Sequence, residues 1–276
     1  MLRQRTISAI VLVPPLLAAL LLGGPWIVAV VVIATALAGR EVFGLLTAAG
    51  MPSLSWLGTA LAVGLVLDAA LSTNVDANGT LLLAVGAILA AVGSFARPDP
   101  REGLPTWIAT VFGAFYASLL GFVLRLGEHA PEIPASAPLH LLGREQGWIL
   151  VLLLAVWAYD TGAYFVGRQF GRRRFLSHIS PSKTYAGLIG GVLAAVAVTA
   201  LLLAGLGKPP IHGVVLGTLL ALAAQAGDLA ESMLKRAAGV KDSGRLIPGH
   251  GGILDRVDSF LFAAPVAVLF VLAAYR

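Results

Sequence analysis

Cysteine is absent from this 276-residue chain, and charge is scarce, with Asp, Glu, Lys and Arg making up only 12% of it. Without thiols there are no disulfides, no thiolate nucleophile and no zinc–thiolate site. Neither a Walker sequence nor a dinucleotide-binding glycine fingerprint occurs, so neither soluble nucleotide fold is available. No internal repeat of the kind that builds inverted-repeat transporters is visible. What fills the chain instead is apolar: hydrophobic residues are 58% of the total, and the mean hydropathy of +0.89 lies outside ordinary soluble composition.

The fold class expected is all-α, a polytopic integral membrane protein with about nine transmembrane helices. The segments are Ser8–Leu22, Trp26–Ala38, Leu54–Leu71, Thr80–Phe95, Pro105–Leu126, Trp148–Phe170, Tyr185–Leu206, Ile211–Lys235 and Ile253–Ala274. The first two are short, and Gly23, Gly24 and Pro25 between them predict a tight helical hairpin. Arg3 and Arg5 ahead of an apolar run also suit a signal peptide over Met1–Leu22, but apolar segments recur along the whole chain.

Basic residues orient these spans. With the N-terminus cytoplasmic and the C-terminus outside, the inner side collects Arg3, Arg5, Arg40, Arg97, Arg101, Arg168, Arg172, Arg173, Arg174, Lys183, Lys235, Arg236, Lys241, Arg245 and Arg256. The outer side keeps only Arg125, Arg144, Lys208 and Arg276. The formal net charge of +5 then describes a cytoplasmic face suited to anionic lipid or phosphate, not to nucleic acid.

Three polar constellations interrupt the apolar pattern. Asp160 sits deep in the sixth segment, four residues before Tyr164 on the same helix face. A carboxylate there needs a cation, a metal or a wet cavity, or else makes one buried interhelical hydrogen bond. The loop Ser180–Pro181–Ser182–Lys183–Thr184 precedes a helix whose Gly187, Gly190 and Gly191 allow close helix approach. Ser182 or Thr184 would cap that helix, and its free N–H groups would face a phosphate. Lys183 serves phosphate or anchors the loop at the membrane surface.

The third constellation runs from the end of segment eight into segment nine. Gln225, Asp228, Glu231, Ser232 and Lys235 form one helical stripe. Asp255 and Asp258 lie three apart at the start of the last helix, and carboxylates brought together require a cation. Asp228 and Asp255 could share a hard divalent ion, and oxygen ligands suit magnesium. Gly249, Gly251 and Gly252 allow tight turns and close approach of a bulky anion. Lys235, Arg236, Lys241, Arg245 and Arg256 supply charge for phosphates or simply anchor the cytoplasmic face. Metal-type acids with phosphate-type bases point to phosphoryl or nucleotidyl transfer. His250 would act as acid or base, bind phosphate or shape the loop.

The run Ser232-x-Leu-Lys-Arg-x4-Lys-Asp-x-Gly-x2-Ile-Pro-x-His-Gly-Gly-Ile-x-Asp-Arg-Val-Asp258 resembles, without a gap, the signature of the phosphatidate cytidylyltransferases, or CDP-diacylglycerol synthases. Asp160-Thr-Gly-Ala-Tyr164 and Ser180-Pro-Ser-Lys-Thr184 extend the resemblance. It divides the chain into an N-terminal helical region, 1–145, and a C-terminal catalytic region, 146–276. The resemblance implies condensation of CTP with phosphatidic acid, dependence on magnesium with a second cation left open, and a homodimer in the bacterial cytoplasmic (inner) membrane with its site facing the cytoplasm. It implies catalytic roles for Asp160, Asp228, Asp255 and Lys183, and metal ligation by Asp228 and Asp255 with Asp160 and Asp258. Substrate phosphates would meet Ser182, Thr184, Lys235, Arg236, Lys241, Asp242, His250, Gly251, Gly252 and Arg256. A CTP-using polyprenol kinase and an ion-coupled transporter are the competing readings.

Overall fold

The computed structural model describes residues 13–71, 78–247, 249 and 251–275. His250, Arg3, Arg5, Arg276 and the start of the first expected segment lie outside the described residues. Among the described residues there is no strand, only the isolated bridges Arg174–Thr184 and Ile247–Gly251. The helices are α1 (Val13–Leu22), α2 (Pro25–Ala48), α3 (Ser55–Leu71), α4 (Asn78–Ser94), α5 (Pro100–Ser118), α6 (Phe122–His129), α7 (Arg144–Phe170), α8 (Tyr185–Gly205), α9 (Pro210–Ala237) and α10 (Leu254–Tyr275).

By length and composition, six stretches among the described residues can cross a membrane: α2, the run Pro100–His129, α7, α8, α9 and α10. Three shorter apolar helices, α1, α3 and α4, accompany them. The core is apolar, yet many large apolar side chains also lie on the outside. Leu193 and Leu201 are 64% and 73% exposed, whereas Glu231 is fully buried and Gln225 nearly so. An apolar exterior of this kind is stable against lipid rather than water.

The second helix corrects the expected boundary at Ala38. It runs through Arg40 and Glu41 to Ala48, and it stops at Gly50, where φ is +78°. Met51 N–H donates back to Leu46 O at 2.9 Å, closing the helix with a glycine in the left-handed region. Twenty-four residues span about 36 Å, enough to cross a hydrocarbon layer and still carry a charged turn within the helix. Gly23 and Gly24 take positive φ and Pro25 opens α2.

The chain forms two compact units, one of residues 1–124 with 231–257 and one of 125–230 with 258–276. In the first, Phe43 of α2 is buried against Gly58 of α3 and Gly113 of α5, where any Cβ would enter its ring. Asp99 caps α5, accepting from Arg101 N–H at 2.8 Å, with Pro100 at the first helical position. In the second unit, α7 packs along α8 through Gly162, Gly187, Gly190 and Gly191, as the glycine spacing predicts. A Cβ on Gly190 would meet Val166, and one on Gly191 would meet the Tyr159 ring. Gly213 and Gly217 of α9 lie against the α8 backbone at Ala200 and Val196.

Candidate active site

Two polar clusters form, one in each unit. In the second unit, Lys183 Nζ makes an ion pair with Asp228 Oδ2, both side chains 22% exposed. The loop that carries Lys183 folds back on itself. Phe175 N–H donates to Lys183 O at 3.2 Å and Tyr185 N–H to Arg173 O at 3.1 Å. Thr184, not Ser182, caps α8: its Oγ1 accepts from Gly187 N–H at 3.1 Å. That cap occupies one of the donors at the start of α8. Ser182 itself is exposed.

Asp160 on α7 is exposed while Tyr159 beside it is buried. The Tyr159 hydroxyl donates to Gln225 Oε1 of α9 at 2.5 Å, one turn before Asp228. Tyr164 accepts from Arg168 Nη1 at 3.1 Å. Asp258 accepts from Ser259 N–H at 2.6 Å through Oδ1, and its carbonyl oxygen lies where a Cβ on Gly227 would go. The helices thus meet closely beneath Asp228.

In the first unit, Lys235 stands between two carboxylates. Its Nζ donates to Asp255 Oδ1 at 2.7 Å and also contacts Glu231 Oε2. The Glu231 side chain is 1% exposed, Asp255 7% and Lys235 11%, so these charges meet one another rather than solvent. Ser243 Oγ lies 2.7 Å from Asp255 Oδ2, which accepts from Ser243 N–H at 2.9 Å and from Gly252 N–H at 2.8 Å. Gly252 and Asp255 stand three apart, so this last bond reproduces half of a capping box. One oxygen of Asp255 is held by the loop and the helix start; the other faces Lys235.

Glu41 completes this cluster from α2. Its Oε1 accepts from Ile253 N–H at 3.1 Å, and its Oε2 accepts from Leu254 N–H at 2.8 Å and lies 2.9 Å from Ser243 Oγ, sharing that hydroxyl's single proton with Asp255. The donors at the start of α10 are therefore taken by two carboxylates. Gly251, at φ +82°, and Gly252 make room for these side chains: a Cβ on Gly252 would strike Glu41 and Ser243, and one on Gly251 would sit 2.5 Å from Asp255 Oδ2. Arg236 donates to Val240 O at 3.3 Å, while Lys241, Asp242 and Arg256 are exposed.

Sequence reasoning named Glu231 as part of the polar stripe but passed over Glu41, Ser243 and Tyr159. Glu41 carried a usable signal, since it is a carboxylate within an otherwise apolar run, the same signal that marks Asp160. Ser243 occupies an unspecified position of the motif.

For a metal, the donor chemistry suits a hard divalent cation, because every candidate ligand is a carboxylate oxygen. Among the described residues, no three Asp, Glu or His side chains group closely enough to hold an ion, and Asp228 and Asp255 pair with Lys183 and Lys235.

A model of the cytidylyltransferase family matches residues 3–274. The chain is 38% identical to the phosphatidate cytidylyltransferase of Synechocystis sp., with 97% of this chain and 96% of that one covered. It is 33% identical to the phosphatidate cytidylyltransferase of Haemophilus influenzae, with 96% of each covered. Phosphatidate cytidylyltransferase 5, chloroplastic, of Arabidopsis thaliana is 35% identical over 91% of this chain and 67% of its own length. Matched from end to end in this way, the chain belongs to the phosphatidate cytidylyltransferases of the cytidylyltransferase family.

Proposed function

We propose that the chain condenses CTP with phosphatidic acid, releasing CDP-diacylglycerol and pyrophosphate. The near-full-length likeness to relatives of that name carries the reading. A phosphate oxygen of phosphatidic acid, already anionic, attacks the α-phosphorus of CTP. The new P–O bond forms as the α–β anhydride bond breaks, and pyrophosphate departs with the electron pair. No covalent enzyme intermediate is needed.

The lysines have a defined part in this scheme. Lys183 and Lys235 are each held by carboxylates in this structure, and a triphosphate competes for the same ammonium groups. Arg236, Lys241 and Arg256, all exposed, add charge for the phosphates, with Ser182, Thr184, Asp242, Gly251, Gly252 and His250 as further substrate-side residues. Magnesium is the cofactor we propose, drawing on oxygens of Asp160, Asp228, Asp255 and Asp258; when bound it would neutralise charge on the phosphoryl oxygens. A bacterial inner-membrane location, a cytoplasm-facing site and a homodimer belong to the same proposal.

The deciding experiment gives purified protein CTP labelled at the α-phosphate, phosphatidic acid and magnesium. Label in the lipid product is expected. Label confined to CDP would instead identify a kinase acting on a lipid alcohol.

A further inference from the structure

Glu41 lies 202 residues from Ser243 and 213 from Leu254 in the chain, yet its carboxylate binds both. Two glycines leave room for it. A Cβ on Gly244 would sit 2.5 Å from Glu41 Oε1, and one on Gly252 would run into Oε2. The backbone N–H groups of Ser243 and Gly252 serve Asp255 Oδ2, and the single Ser243 hydroxyl proton is shared between Asp255 Oδ2 at 2.7 Å and Glu41 Oε2 at 2.9 Å. The chain of contacts runs from Glu41 through Ser243 to Asp255. Beside it lies an open cleft of about 540 Å³ lined in part by Arg40, Glu41, Ser243 and Arg245.

We infer that Glu41 is a positioning residue for nucleotidyl transfer: it seats Ser243 and the first N–H groups of α10, and through them it orients Asp255 toward Lys235. A carboxylate is suited to this because it accepts from several donors at once, and at a helix N-terminus its charge is favoured. An amide in its place would turn an N–H₂ group toward backbone donors. Glu41 touches no reacting atom in this scheme; its effect passes through Asp255. The inference rests on the proposed reaction for its kinetic consequence, but its structural consequence stands independently.

The test compares the wild-type chain with Glu41→Gln, Ser243→Ala and the double variant in detergent. Glu41→Gln is expected to lower kcat about 10- to 100-fold while KM for CTP stays within about threefold, as misplacement of a group beside the chemistry predicts. Ser243→Ala lowers kcat less, and the double variant is no worse than Glu41→Gln alone, because both break one chain of contacts. A kcat within twofold of wild type, or additive losses in the double variant, would overturn the inference. If Glu41→Gln does not fold, Gly244→Ala, which pushes a Cβ against Glu41, must give the same kcat loss, and unchanged kcat there overturns it. Amide exchange at Ile253 and Leu254 separates the two ideas. Wild-type protein that forms no CDP-diacylglycerol sinks the proposed reaction, whereas faster exchange in Glu41→Gln still supports positioning and unchanged exchange removes it.

Discussion

Lys235 holds Glu231 and Asp255 together in a place where water hardly reaches any of them. Removing its ammonium leaves two buried carboxylates facing each other, and breaking a buried pair in this way costs about 3–5 kcal/mol. Lys235→Met is therefore expected to lower the thermal unfolding midpoint in detergent and to abolish turnover; an unchanged midpoint would show that the carboxylates find another cation. Lys183 and Asp228 are a different case. Both are about one-fifth exposed, so the pair is worth less to stability, on the order of 1 kcal/mol. Lys183→Ala is expected to raise KM for CTP while expression and unfolding change little, and unaltered kinetics would remove Lys183 from the phosphate site. Asp255→Asn keeps the side-chain shape but loses the charge opposite Lys235. Turnover should vanish while the protein still folds, and near-normal activity at saturating magnesium would end its proposed metal role. Asp228, Asp255 and Lys235 were legible in the sequence as charges bordering apolar helices, and Lys183 as the lysine of the Ser180–Thr184 loop. Their partners were not, because pairing of a lysine with one carboxylate among several depends on backbone approach that spacing along the chain does not specify.

The elements divide along similar lines. Helix α8 was readable down to its first residue: a threonine followed by an apolar run with glycines at helical spacing, and Thr184 is the cap that forms. Its glycines then govern packing. Gly191→Val would place new carbons against the Tyr159 ring and the Tyr159 carbonyl oxygen, and overpacking of this kind costs about 1–3 kcal/mol. The variant should unfold earlier, and the Tyr159–Gln225 contact beneath Asp228 should be disturbed; a wild-type unfolding curve would show that the α7–α8 contact can slide. Helix α2 was misread at its end for a physical reason. The expected segment ended at Ala38, before the charged Arg40 and Glu41, but a charged pair does not stop a helix whose flanking residues favour it, and Gly50 does. The extension matters because it brings Glu41 into the helix that reaches Ser243 and α10.

At the scale of the whole molecule, the absence of cysteine becomes an experimental advantage. Any single cysteine introduced is the only thiol in the chain. His178→Cys, in the exposed loop before α8, and Ser136→Cys, in the exposed segment before α7, lie on opposite sides in the proposed orientation. A membrane-impermeant maleimide should label the first from the cytoplasmic side alone and the second from the outside alone. The reverse pattern would invert the proposed topology. The sequence by itself determined the membrane character, the positions of the main apolar helices and the identity of most charged candidates, because hydropathy, caps and motifs are local properties written residue by residue. Only the tertiary structure decided that Glu41 belongs with Ser243 and Asp255, that Gly252 makes room for a carboxylate, and that lysines neutralise Asp228 and Asp255. Those facts depend on which side chains meet across hundreds of residues of chain, and contact between distant segments follows from packing rather than from any local pattern.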